Sequence, residues 1–92
     1  MSIYIIIFSV STQREILVDR IKMLSMHTFK ALDNVWFVAM DGSAEYIYNA
    51  LNGDNTFGNA SIMAAKISTD EKMYWGCMNR DLWPWIKQVK AL

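Results

Sequence analysis

The chain has 92 residues, room for one domain, and its nine basic residues balance nine acidic ones. Zero net charge gives no long-range attraction to nucleic acid or to an anionic membrane, and it argues against an acidic DNA mimic. The apolar share is high for so short a chain, 53 % without counting glycine, which points to apolar surface shared with a partner, most simply a second copy.

Residues 3–10, IYIIIFSV, are β-branched and aromatic with no polar alternation. That pattern predicts a central strand buried on both faces. Ser11 and Thr12 end it, and Thr12 with Glu15 three residues later reads as a capping box. A helix is expected to about Ser25, with Leu17, Ile21 and Leu24 inward. Arg14, Arg20 and Lys22 share this helix with Glu15 and Asp19, so a solvated mixed-sign face outweighs a basic patch. Residues 28–32 and 35–40 predict a β-hairpin, because Asp33-Asn34 between them tolerates left-handed backbone.

Asp41-Gly42-Ser43 breaks the second hairpin strand, and Ser43 is a good N-cap. Ala44, Ile47, Tyr48 and Leu51 then fall on one helical face. Asn52-Gly53 is expected to supply a left-handed stop, residues 52–59 a loop and residues 60–68 a further strand. Residues 69–72 read as a charged turn. The remaining tail holds three of the four tryptophans. Pro84 suits the first turn of a short helix opening near Asn79 or Asp81, with Leu82, Trp85, Ile86 and Val89 buried and Trp83 pointing elsewhere.

The order is strand, helix, hairpin, helix, strand, tail. It predicts a single α+β domain, a ferredoxin-like βαββαβ sandwich with an antiparallel sheet, two helices on one face and a tryptophan-rich C-terminal tail. The opposite sheet face needs cover, from that tail or from a second subunit.

Chemistry-bearing patterns are sparse. His27 and Cys77 are the only histidine and the only cysteine, so one chain cannot assemble a usual zinc set, and no internal disulfide can form. A lone cysteine fits a reducing compartment. No signal peptide is legible and no run nears the roughly 20 apolar residues of a membrane span, so a cytoplasmic location is expected. The four glycines build no phosphate-binding loop. Asp41, Asp54 and Asp70-Glu71 read as solvated ends of elements. No catalytic, cofactor or metal site is expected, and the reading leans against an enzyme. A small-ligand enzyme would need a preformed pocket with convergent polar groups, which a sequence does not display. Tyr74, Trp75 and Trp83 are the candidate interaction residues, as aromatic anchors dominate protein interfaces. Arg80, Lys87 and Lys90 are the candidate phosphate contacts if the tail's aromatics stack bases, a weaker alternative given the charge balance.

The apolar first strand, LDNVWFV (32–38), NASIMAAKIS (59–68) and YWGCMNRDLWPWI (74–86) together resemble the small SinR-like proteins. Their superfamily also holds the VapD toxins and the small integration subunit of CRISPR adaptation. The resemblance spans nearly the whole chain. Its more specific elements are L-D-x-x-W-x-V and the tail's paired tryptophan motifs. It implies a ferredoxin-like fold and a homodimer formed through the sheet. Nuclease-like members carry a metal-binding aspartate at the end of the first strand. Here the matching place reads Phe8-Ser9-Val10, and a neutral serine cannot replace a carboxylate for a hard cation, so metal-nuclease activity does not carry over. Asp33 matches the family's hairpin aspartate and reads as a turn residue.

The expected function is therefore a non-enzymatic, homodimeric macromolecule-binding module with a protein partner, of the adaptor or inhibitor kind found on phages and mobile elements. The alternative is a nucleic-acid-binding or nuclease-like member of the superfamily lacking the metal aspartate at Ser9.

Overall fold

The computed structural model describes residues 1–68 and 81–92. Their elements are β1 (Ser2–Ser9), α1 (Arg14–Leu24), β2 (Thr28–Leu32), β3 (Val35–Met40), α2 (Ala44–Asn52), β4 (Ser61–Ile67) and α3 (Leu82–Lys90). The four strands form one antiparallel sheet in the order β2-β3-β1-β4. With α1 and α2 on one face, this is a broadly ferredoxin-like α+β arrangement.

β1 lies inside the sheet, as its unbroken apolar run requires. Successive strand residues face opposite ways. Tyr4, Ile6 and Phe8 therefore join Trp36, Val38 and Met40 of β3 under Leu17 and Ile21 of α1 and Ile47 and Leu51 of α2. Ile3 turns the other way and packs with Ala31, Phe37 and Ala39. The hairpin forms as expected, with Asp33-Asn34 between β2 and β3. Ser43 caps α2, its Oγ accepting the Tyr46 N–H at 3.0 Å.

The second sheet face is covered by α3. Leu82, Ile86 and Val89 are buried against Ile3, Ala31, Phe37 and Ala39. Trp85 sits half-buried beside Phe29, ring centroids 5.8 Å apart. Pro84 falls in the first helical turn, where a missing N–H breaks no intrahelical bond. The chain's own helix thus takes the place that a second subunit could have filled over this part of the sheet.

Three local expectations are corrected. Thr12 and Glu15 form no capping box: α1 begins one residue later, after Gln13 in left-handed backbone, with no side-chain cap. The Gln13 carbonyl instead accepts from Ile16 and Leu17 at 3.1 and 3.3 Å. Gly53 is not the left-handed stop. It keeps helical backbone and donates to the Asn49 carbonyl at 2.8 Å, and the left-handed residues are Asn55 and Gly58 further along the loop. Tyr48 is exposed rather than inward. The place on the inner side of α2 goes to Asn52, a buried polar residue.

Candidate interaction surface

The register places four apolar residues in one row across the whole sheet. Leu32 of β2 lies opposite Val35 of β3, Val35 opposite Ile7 of β1, and Ile7 opposite Met63 of β4. Directly paired residues share a face, and Val35 belongs to the α3 side. The row therefore lies on the α3 side, at the end of the sheet that holds the hairpin turn. Among the described residues α3 does not close it: Leu32 is 52 % exposed, Ile7 37 % and Met63 53 %. Four strands at the usual spacing make a row about 14 Å long.

Among the described residues the row ends on β4, an edge strand. Its seven residues pair with β1 without interruption, and Lys66 is its one charge. The opposite edge, β2, is guarded better: it is five residues long, carries Lys30, and its pairing shifts register between Lys30 and Leu32. Short length, charge and irregular pairing are the usual ways of blunting an edge. β4 has fewer of them.

The expected site residues are distributed as follows. Trp83 is half-buried and packs against the Ile3–Phe37 cluster, so it contributes to the docking of α3 and retains some outward surface. Lys87 and Lys90 lie on the exposed side of α3. Tyr74, Trp75 and Arg80 lie outside the described residues, as do Cys77 and the Asp70-Glu71 pair. Ser9, at the end of β1, is exposed and pairs in register with Ser61. Asp33 is exposed in the hairpin turn, its carboxylate 3.3 Å from Lys30 and its carbonyl accepting from Arg14. His27 is half-buried and its backbone is engaged with Ser25 and Ala39. Among the described residues no three His, Cys, Asp or Glu side chains gather as a metal-binding group, and no helix is long and apolar enough to cross a membrane.

The three cations of α1 are each drawn onto an aromatic ring. Arg14 lies 5.1 Å from the centre of the Phe8 ring, Arg20 5.3 Å from Phe57, and Lys22 5.9 Å from Trp36. They serve the packing of the helix layer. The Trp36 indole N–H beneath Lys22 is buried with no hydrogen-bond partner among the described residues.

Arg20 is also the centre of a polar network between α1 and the loop after α2. Its guanidinium donates to the Leu51 carbonyl at 2.8 Å, to both Asp54 oxygens at 3.1 and 2.9 Å, and to Thr56 Oγ1 at 3.1 Å. Thr56 returns two bonds to Asp54, from its hydroxyl at 2.6 Å and its backbone N–H at 3.0 Å. The Arg20 hydrogen bonds, then the Thr56 hydroxyl and N–H, hold the Asp54 carboxyl well below the usual carboxylate range. A carboxyl whose pKa is depressed on folding stabilises the fold above its unfolded value, and that contribution disappears as pH falls through the folded value. Thermal unfolding followed from about pH 5 to pH 2 is therefore expected to show an acid-limb loss that Asp54→Asn reduces. An identical acid limb in the variant would show that Asp54 carries none of it.

Beside this network, Arg20, Met23, Leu24, Tyr46 and Ala50 line a shallow open groove of about 240 Å³ between α1 and α2. Met23 on its rim is 83 % exposed. No family model, curated protein or solved structure matches the chain.

Proposed function

We propose that the protein is a non-enzymatic macromolecule-binding module that works as a homodimer, and that it is a distant relative of the SinR-like proteins. The observation that carries this reading is the apolar row Leu32–Val35–Ile7–Met63, which among the described residues runs to an edge strand with few of the usual guards. A row of this kind suits a two-fold interface, in which the same patch on two copies meets itself. The chain's zero net charge sets up no overall repulsion between copies. The partner macromolecule then engages the tail's aromatics, Trp83 together with the sequence candidates Tyr74 and Trp75, as an adaptor or inhibitor would.

The test is the solution mass by light scattering. Wild-type protein is expected at twice the chain mass. Met63→Asp, on the exposed face of the edge strand, is expected at one chain mass with its far-UV spectrum kept. A monomeric wild type, or a variant that dimerises equally well, rejects the interface. Trp83→Ala with unchanged capture of the partner would reject the binding surface.

A second reading, nucleic-acid binding, draws on Lys87 and Lys90, which lie together on the exposed side of α3. It requires salt-dependent binding. A flat fluorescence-anisotropy titration at low salt, across single- and double-stranded probes, would dispose of it.

A further inference from the structure

The chain contains one Asn-Gly pair, Asn52-Gly53, at the junction of α2 with the loop of residues 53–60. In an opened chain this dipeptide is chemically labile. Glycine leaves its backbone nitrogen unhindered, and that nitrogen can attack the asparagine side-chain carbonyl. The folded protein restrains every participant. The Gly53 N–H is committed to the Asn49 carbonyl at 2.8 Å, and Gly53 itself keeps helical backbone. Asn52 is 5 % exposed. Its Oδ1 accepts the Phe57 N–H at 2.9 Å, and its Nδ2 donates to the Gly58 carbonyl at 3.2 Å and to the Tyr48 hydroxyl at 3.3 Å.

We propose that Asn52 is a conformationally gated modification site, which deamidates when the loop 53–60 opens and is protected while it is closed. The Gly53 nitrogen gives its proton to water or hydroxide and bonds to Asn52 Cγ. The Cγ–Nδ2 bond breaks, and the nitrogen takes a proton back from water and leaves as ammonia. Water then opens the cyclic imide at either carbonyl, leaving an aspartyl or an isoaspartyl residue. Neither product fits the closed loop. An aspartate sets a carboxylate oxygen against the Gly58 carbonyl, where the amide had donated. An isoaspartate adds a methylene to the main chain at the end of α2. The time spent open is thereby recorded irreversibly, and Phe57, which Asn52 holds in the core, loses its anchor.

The gate is the Arg20 network, which ties α1 to Leu51, Asp54 and Thr56 on both sides of the Asn-Gly pair. No other asparagine is followed by glycine, and isomerisation at Asp41-Gly42 changes no mass. Intact-mass spectrometry with peptide mapping therefore reads Asn52 directly.

The full chain is incubated in mildly alkaline buffer with and without guanidinium chloride. Deamidation of the folded protein is expected to be at least about tenfold slower than that of the unfolded chain, since reaction must wait for local opening. Arg20→Ala is expected to raise the folded-state rate severalfold and to leave the unfolded-state rate unchanged. If circular dichroism shows that Arg20→Ala does not fold, Thr56→Ala, which removes one contact of the same network, is read in its place. A folded-state rate within tenfold of the unfolded one, or one that does not respond to loosening the network, overturns the proposal.

Discussion

Ile86→Asp is expected to strip α3 from the sheet, lower stability by about 3–5 kcal/mol and raise the solution mass above that of the wild type. Ile86 is 2 % exposed and lies between Leu82 and Val89 in the cluster that α3 forms with Ile3, Phe37 and Ala39. A carboxylate there lies among the apolar side chains of the described cluster, so it must protonate or leave. The nine-residue helix cannot survive leaving, because isolated helices shorter than about 12–15 residues are marginal in water. The first core, on the α1 and α2 side, does not involve α3. The variant should therefore keep its sheet and those two helices while exposing an apolar face. An exposed face of that size associates. Denaturant midpoints and light scattering read the two effects separately, with the mild Lys87→Arg on the exposed side of α3 as the control that changes neither. An Ile86→Asp protein with wild-type midpoint and mass would mean that α3 does not seal this face.

The order of elements was legible because each is announced locally. The two-sided apolar run of β1, the Asp33-Asn34 turn, the Ser43 cap and the spacing of Leu82, Ile86 and Val89 all act within a few residues, and the structure realises each of them. The candidate surface was not legible in the same way. Ile7 reads as one more core isoleucine, and Met63 as a residue of a weak strand. Their exposure follows from register and from where α3 stops, and both depend on contacts far apart in sequence. The register shift between Lys30 and Leu32, which lines Leu32 up with Val35, has no sequence mark either. The tail's aromatics drew attention as the interaction site. Of these, Trp83 is partly engaged in packing α3, while Tyr74 and Trp75 lie outside the described residues. At Asn52-Gly53 the local signal correctly ended a helix and misjudged the means. Asn-Gly usually ends a helix through left-handed backbone. Here the asparagine side chain closes the loop, a role that needs Phe57 and Gly58 to return to it.

That role sets the second large effect. Asn52→Leu, close in volume and buried, is expected to cost about 2–4 kcal/mol, because it leaves the buried Phe57 N–H without its acceptor and the Gly58 carbonyl without its donor. Tyr48→Phe should cost much less, since the tyrosine contact is long at 3.3 Å and involves an exposed side chain. Asn52→Asp separates the two halves of the role. The new carboxyl can still accept from Phe57, but when ionised it faces the Gly58 carbonyl with no proton to give. Burial and that carbonyl both favour the protonated acid in the folded state, so its folded pKa lies above its unfolded one. Stability linked to such a group is present at low pH and lost as pH rises through the unfolded value toward the folded one. Relative to wild type at the same pH, the Asn52→Asp deficit should therefore be large at neutral pH and shrink in acid, while the Asn52→Leu deficit stays constant. Urea midpoints of the three variants at about pH 7 and pH 4 make the comparison. If Asn52→Leu unfolds with the wild-type midpoint, the loop is held by the Arg20 network alone. If both variants lose the same amount at both pH values, the acceptance from Phe57, which the aspartate keeps and the leucine lacks, contributes nothing, and protonating the aspartate does not restore the donation to Gly58.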